Sequence, residues 1–285
     1  MDNRPDFVII GAMKCATTTL HDQLARQQGV FMSTPKEPNF FSDDGVWSRG
    51  IGWYESLFRD APGGALRGES STHYTKLPTY PETIDRFAEH LPDAKLIYVM
   101  RDPVARLVSQ YIHEWSEARI SVPIDEAVER HPELLDYSRY ATQLRPWLDR
   151  FGSDRVLPVF FERITARPAA EFERVCRFVG VAGEAGWAED AAPRNVSSER
   201  IRKNPVRDAV LDLRAMRWLR RALLPESVRE RIKSRWRMDE RPELSEGRAA
   251  RVRERLDPDI AALGGMLGLR LNCEGFRDAV LGCEG

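Results

Sequence analysis

"DFVIIGAMKCATTTLHDQL", residues 6–24, is the stretch whose reading decides the fold. Phe7 to Ile10 form an unbroken apolar run, the pattern of a strand covered on both faces. Gly11 breaks the run, and Leu20 and Leu24 then place an apolar stripe on a helix that begins near the threonines. A strand, a short loop and a helix in this order make a phosphate cradle. The first turn of a helix offers unpaired N–H groups and the positive end of the helix dipole. A triphosphate loop would read G-x-x-x-x-G-K-[ST]. Here only two residues separate Gly11 from Lys14, and Ala16 stands where a second glycine belongs. The residues expected to hold an anion are Lys14, Cys15, Ala16, Thr17, Thr18 and Thr19, with the threonines also expected to cap the helix. The plain alternative is a solvent-facing lysine at a helix start.

Outward from this unit the chain keeps alternating. "GVFMS", "ALRGESS", "AKLIYVM" and "RVLPVFFERI" read as further strands, and "YPETIDRFAEHLP", "PVARLVSQYIHEW" and "PAAEFERVCRFVGV" as helices. Such alternation predicts an α/β fold, a mainly parallel central sheet with helices on both faces. Ligands in such sheets sit beyond the carboxyl ends of the strands. From about Ala191 the character changes. "PRNVSSERIRKNP" reads as a polar loop, residues 207–238 are arginine-rich with Trp218 and Trp236 interleaved, and "SEGRAARVRERLDPDIAALGGMLGL" reads as helices broken at Pro258. With no repeat and no low-complexity linker, one domain over residues 1–285 with a helical, basic C-terminal part is the expectation.

Composition narrows the class. With 285 residues, 42% hydrophobic and 31% charged, the chain can bury a sizeable core and is too apolar for disorder. A net charge of −1 is not that of a nucleic-acid-binding protein, so an anion site must come from local clustering. The acidic start and short first apolar run do not read as a signal peptide, and no stretch approaches a spanning helix, so the expected compartment is the cytoplasm. Cys15, Cys176, Cys273 and Cys283 form no CxxC pair, which argues against a zinc site. Free thiols are expected, with a Cys273–Cys283 bridge left open.

Two further stretches could carry chemistry. In "STPKEPNFFSDD", Pro35 and Pro38 restrict the backbone around Lys36 and Glu37, and Phe40 and Phe41 follow. A carboxylate held between a lysine and an aromatic pair can serve as a general base; the alternative is a surface turn anchored by two core phenylalanines. In "YVMRDPVARLVSQYIHEW", Arg101 stands at a strand end, and Ser109 and His113, four residues apart, share a helix face. Arg101 and Ser109 can grip a second phosphate, through a planar fork and a short donor. Asp102 suggests a magnesium ligand, but the adjacent Arg101 charge argues against it. Taken alone, His113 reads as a structural histidine.

Together these stretches resemble the sulfotransferases that use 3′-phosphoadenosine 5′-phosphosulfate (PAPS), in the heparan-sulfate-type and related bacterial branch. "IIGAMKCATTTL" is similar to the family's 5′-phosphosulfate loop, "KEPNFF" to its substrate-side loop, and "RDPVARLVSQY" to its 3′-phosphate motif. "LDPDIAALGGMLGLRL" resembles the closing helix, so the resemblance runs from about Asp6 to Leu271. It implies that Lys14, with Thr17 and Thr18, holds the 5′-phosphate and the bridging oxygen, that Arg101 and Ser109 hold the 3′-phosphate, and that Glu37 is the general base. His113 falls where the N-sulfating members have a functional histidine, and Lys36 matches a family lysine. Asn195, Ser197 and Arg200 fall where the family closes a loop over the nucleotide. The family has glycines and an arginine where this chain has Cys15, Ala16 and Thr18, and a lysine near "ESSTHY", a gap that His73 fills in part on the substrate side.

The implied reaction is in-line sulfuryl transfer from PAPS to an acceptor hydroxyl of a carbohydrate, lipid or natural product, leaving PAP, with no metal. Two other functions remain in view. One is a P-loop kinase-like nucleotide enzyme. The other is a membrane- or polyanion-binding module built on residues 207–238, which would also give peripheral contact with an anionic surface.

Overall fold

The computed structural model describes residues 3–183, 185–189 and 241–282. Five strands, β1 (Phe7–Gly11), β2 (Val30–Met32), β3 (Leu66–Ser70), β4 (Lys95–Met100) and β5 (Val156–Phe160), form one sheet in the order β2-β3-β1-β4-β5. Every pairing is parallel. The first strand of the chain is therefore the middle strand of the sheet, and all five of its residues are buried, which is why it reads as an unbroken apolar run. From β1 the chain builds β2 and β3 on one side, then crosses to β4 and β5 on the other. The loops after β3, β1 and β4 thus lie side by side at one sheet edge.

Register explains one small residue in the sheet. Gly68 pairs with Phe7. A Cβ at position 68 would lie 2.3 Å from the Phe7 ring and 2.5 Å from the Met32 sulfur, so glycine lets both side chains cross the strand.

The helices supply the two outer layers. They are α1 (Thr17–Ala25), α2 (Asp44–Trp47), α3 (Ile51–Ser56), α4 (Thr83–His90), α5 (Pro103–Ser116), α6 (Ile124–Arg130), α7 (Glu133–Asp136), α8 (Tyr140–Phe151), α9 (Phe161–Ala166), α10 (Pro168–Val179), α11 (Glu246–Leu267) and α12 (Phe276–Gly282). The predicted Leu20–Leu24 stripe of α1 is buried. α8 buries Leu144 and Trp147, and α10 buries Phe172, Val175 and Val179. Each such side chain stabilises the fold by roughly 1.5–3 kcal/mol relative to exposure.

Two sequence expectations are corrected. "RVLPVFFERI" is a strand only to Phe160, and Phe161–Ala166 is helical. The ladder with β4 ends at Met100–Phe160, after which the Asp102 amide donates to Glu162 Oε1 at 2.8 Å and the chain turns away. α11 runs through Pro258 unbroken. Val252, Leu256, Ile260 and Leu263 lie on both sides of the proline and are all buried, so packing outweighs the one backbone hydrogen bond that Pro258 cannot make.

Cys15, Cys176 and Cys273 are free and buried. Cys283, Asn195, Ser197, Arg200 and the basic segment 207–238 lie outside the described residues. No helix among the described residues is long and apolar enough to cross a membrane.

Candidate active site

The loop after β1 is shaped by its backbone. Gly11 has φ +155°, and a Cβ there would lie 1.9 Å from Thr75 Oγ1. That threonine donates to Ile10 O at 2.9 Å, holding the 3₁₀ turn Thr72–Thr75 against the loop. Lys14 and Ala16 take positive φ angles of 71° and 64°. The expected threonine cap is corrected: the N-cap of α1 is Ala16, and no side chain caps the first turn, because a left-handed alanine brings no oxygen to it. No acidic residue lies in that turn either. Its amides and the dipole end are left for an external anion. The Cys15 thiol points inward, 3.8 Å from the Tyr140 hydroxyl, and burial pushes it up to about 12. It is therefore no nucleophile at neutral pH.

Across the neighbouring loop, Phe40 and Phe41 are fully buried in an aromatic cluster with Trp47 and Tyr54. They anchor the segment that carries Lys36 and Glu37. The Glu37 amide donates to Ser70 O at 2.9 Å, and the Asn39 amide to Ser71 Oγ at 3.0 Å, which stitches the segment to the end of β3. The Glu37 carboxylate accepts from Lys36 Nζ at 2.8 Å, and from the Thr72 amide and hydroxyl at 3.0 Å each. Burial alone would raise this carboxyl. The Lys36 charge and these hydrogen bonds outweigh burial and hold it below the ordinary carboxylate range. Glu37 is thus ionised and oriented.

Sequence reading missed two residues beside it. His21 Nδ1 lies 2.9 Å from Ser70 Oγ, tying α1 to the end of β3. Burial, then the Lys36 charge, depress His21 to about 4, so its imidazole is neutral. His21 lies four residues beyond Thr17 on α1, and that spacing could have flagged it. Lys76 is only 9% exposed, with its ammonium 5.6 Å from the Tyr137 ring centroid. Burial lowers Lys76 to about 8 against the opposing pull of Glu37 and Glu114. Nothing in its sequence context marks it. His73 stacks on Tyr80 with ring centroids 4.9 Å apart. Burial first, then the Lys76 charge, lowers it to about 4, so it adds no positive charge.

The third element follows β4. Asp102 is the N-cap of α5, its Oδ1 accepting from the Ala105 amide at 2.7 Å, and Pro103 opens the helix as expected. Arg101 stands directly before it, its guanidinium 4.4 Å over the Phe161 ring. No hydrogen bond or ion pair to a described residue ties that guanidinium. Ser109 is buried on α5, and His113 is half-buried one turn further on. The Lys14 loop, the Glu37 pocket and Arg101 thus occupy neighbouring positions at the carboxyl edge of β1, β3 and β4. An ionised carboxylate, an uncapped helix start and a guanidinium with no hydrogen bond to a described residue on one edge suit group transfer from an anionic donor.

The sequence itself matches known proteins over part of its length. Residues 54–185 match the family model described as "Sulfotransferase family". The mouse heparan sulfate glucosamine 3-O-sulfotransferase 3B1 is 33% identical over 187 residues, covering 62% of this chain and 46% of the relative. Residues 54–185 of this chain thus resemble the sulfotransferase family. The human bifunctional heparan sulfate N-deacetylase/N-sulfotransferase 2 is another similar protein, 28% identical over 201 residues, or 63% of this chain and 22% of the relative. The chain therefore spans about half or less of the length of these curated relatives. The crystal structure of a sulfotransferase from Alicyclobacillus acidocaldarius shares the fold, with a TM-score of 0.65 and 23% identity over 93% of this chain and 96% of that one.

Proposed function

We propose that this chain transfers a sulfuryl group from PAPS to an acceptor hydroxyl. The observation that carries the reading is the ionised Glu37, held by Lys36 and Thr72 beside an uncapped helix start. In the proposed step the acceptor oxygen bonds to sulfur as the bond from sulfur to the 5′-phosphate oxygen breaks. The acceptor proton passes to Glu37, and the electron pair leaves on the phosphate. Lys14 and the first-turn amides of α1 stabilise that leaving charge, and donors fixed in place beforehand usually accelerate such a step more than any other single effect. Arg101 and Ser109 take the 3′-phosphate of the donor. His113 is the second candidate base. Asn195, Ser197 and Arg200 are kept as candidate nucleotide contacts, and residues 207–238 as a candidate anionic-surface contact. The names of the relatives support a glycan as the acceptor.

The test is transfer of ³⁵S from labelled PAPS to a panel of glycan, lipid and phenol acceptors. The expected result is labelled product from a glycan, together with thermal stabilisation by PAP. At a hundredfold excess over Kd, PAP binding stabilises the native state by about 2.7 kcal/mol. Stabilisation by ATP and magnesium in place of PAP would overturn the reading.

A further inference from the structure

Tyr140 is the first residue of α8 and is fully buried. A buried phenol needs one partner to satisfy its hydroxyl. This hydroxyl reaches two separate parts of the site. It donates to Arg101 O at 2.7 Å and accepts from the Arg101 amide at 3.3 Å. It also lies 3.8 Å from Cys15 Sγ, in the middle of the loop between Lys14 and Ala16. Arg101 is one residue past the last ladder pair, Met100–Phe160. There Tyr140 bonds both the amide and the carbonyl of Arg101.

The tyrosine is braced from behind. The Asp259 carboxylate of α11 accepts from the Ala141 amide at 2.8 Å and the Thr142 amide at 2.9 Å, capping the helix that Tyr140 starts. On the other side Arg106, fully buried, donates to Ser138 Oγ at 2.6 Å, and Ser138 donates to Pro103 O at 2.9 Å. A hydroxyl held this firmly fixes whatever it touches.

We propose that Tyr140 is a positioning residue whose hydroxyl sets the spacing between the Lys14 loop and Arg101, and thereby the preference for a nucleotide bearing a 3′-phosphate. This rests on the function proposed above. Tyr140 touches no reacting atom; it acts through the backbone of Arg101.

The experiment compares binding of PAP and of adenosine 5′-monophosphate, which lacks the 3′-phosphate, to the full chain and to Tyr140→Phe. In the unaltered protein PAP binds much more tightly. In Tyr140→Phe, PAP affinity falls about tenfold while that of the monophosphate holds, so the ratio collapses. With PAPS as donor, KM rises with little change in kcat. A merely structural tyrosine would weaken both nucleotides by the same factor, and that result, or an unchanged ratio, overturns the proposal. Should the unaltered protein show no preference for PAP, the functional reading and this inference both fall; a preference kept in Tyr140→Phe sinks only the latter. If Tyr140→Phe does not fold, Asp259→Asn, which loosens the seat and keeps the phenol, is expected to lower the ratio in the same sense, and an unchanged ratio in that variant also counts against the proposal.

Discussion

Glu37 has the charge state a base needs at neutral pH, and the cost is low basicity. Lys36 and Thr72 hold its proton affinity down, so its value as a base comes from position rather than from a matched pKa. Glu37→Gln keeps the size and loses the proton acceptor. It is expected to lower kcat by about 10²- to 10⁴-fold with PAP affinity nearly unchanged, as measured by ³⁵S transfer and calorimetry. A variant that retained full turnover would pass the role to His113. Arg101→Ala is expected to do the opposite. It removes a charged donor whose guanidinium stacks on Phe161 and hydrogen-bonds to no described residue, and should weaken PAP by roughly 10- to 100-fold in a binding titration, since a hydrogen bond to a charged group is worth about 1.5–3 kcal/mol.

At the scale of elements, Gly11 decides whether β1 can hand over to its loop. An alanine there meets Thr75 Oγ1 at 1.9 Å and must also adopt φ +155°. Gly11→Ala is expected to lower stability by about 1–3 kcal/mol in urea unfolding. Adding Thr75→Ala removes the Oγ1 contact and leaves the backbone strain and the 3.2 Å approaches to Thr75 Cβ and the Tyr98 ring, so the double variant should recover part of the loss. This junction also shows what sequence could and could not disclose. The strands and the order of the loops were legible because hydrophobic periodicity is local: β1, β4 and α5 each announce themselves. Lys36–Glu37 was legible because two prolines flank it. Thr72 and Lys76 were not, because their roles arise from a 3₁₀ turn brought to a strand end, and nothing local to them records that meeting; His21 was marked only by its spacing from Thr17. Ala16 misled for the opposite reason: threonines are good caps, but a left-handed alanine came first. Pro258 misled because a buried stripe on both of its sides keeps α11 whole.

For the molecule as a whole, the buried charge to watch is Glu69. It takes hydrogen bonds from the Tyr54 and Tyr74 hydroxyls. Burial nevertheless pushes its carboxyl from 4.5 up to about 7. The native state therefore keeps this proton where the unfolded chain has released it. Its contribution to stability is full below pH 4.5 and is lost as pH rises through 7. His21 and His73, depressed to about 4, act with the opposite sign and lose stability as pH falls from 6.5. The Glu69 contribution is isolated by difference. The stability of Glu69→Gln relative to the unaltered protein is expected to rise by roughly 3 kcal/mol between pH 4.5 and pH 7, read from denaturant unfolding at each pH. A flat difference would show that the site is not titrating.

The carboxylate that caps α8 is made late. Asp259 follows the Ala141 amide it holds by 118 residues. During synthesis the Lys14 loop and the Arg101 motif leave the ribosome well before it, and for that interval the proposed nucleotide-binding segments exist without the cap that seats Tyr140 between them. If these segments bind the nucleotide as proposed, tight binding is something the nascent chain gains only once α11 has emerged and docked. A ribosome-stalled chain ending before residue 246 would carry the motifs and lack the grip.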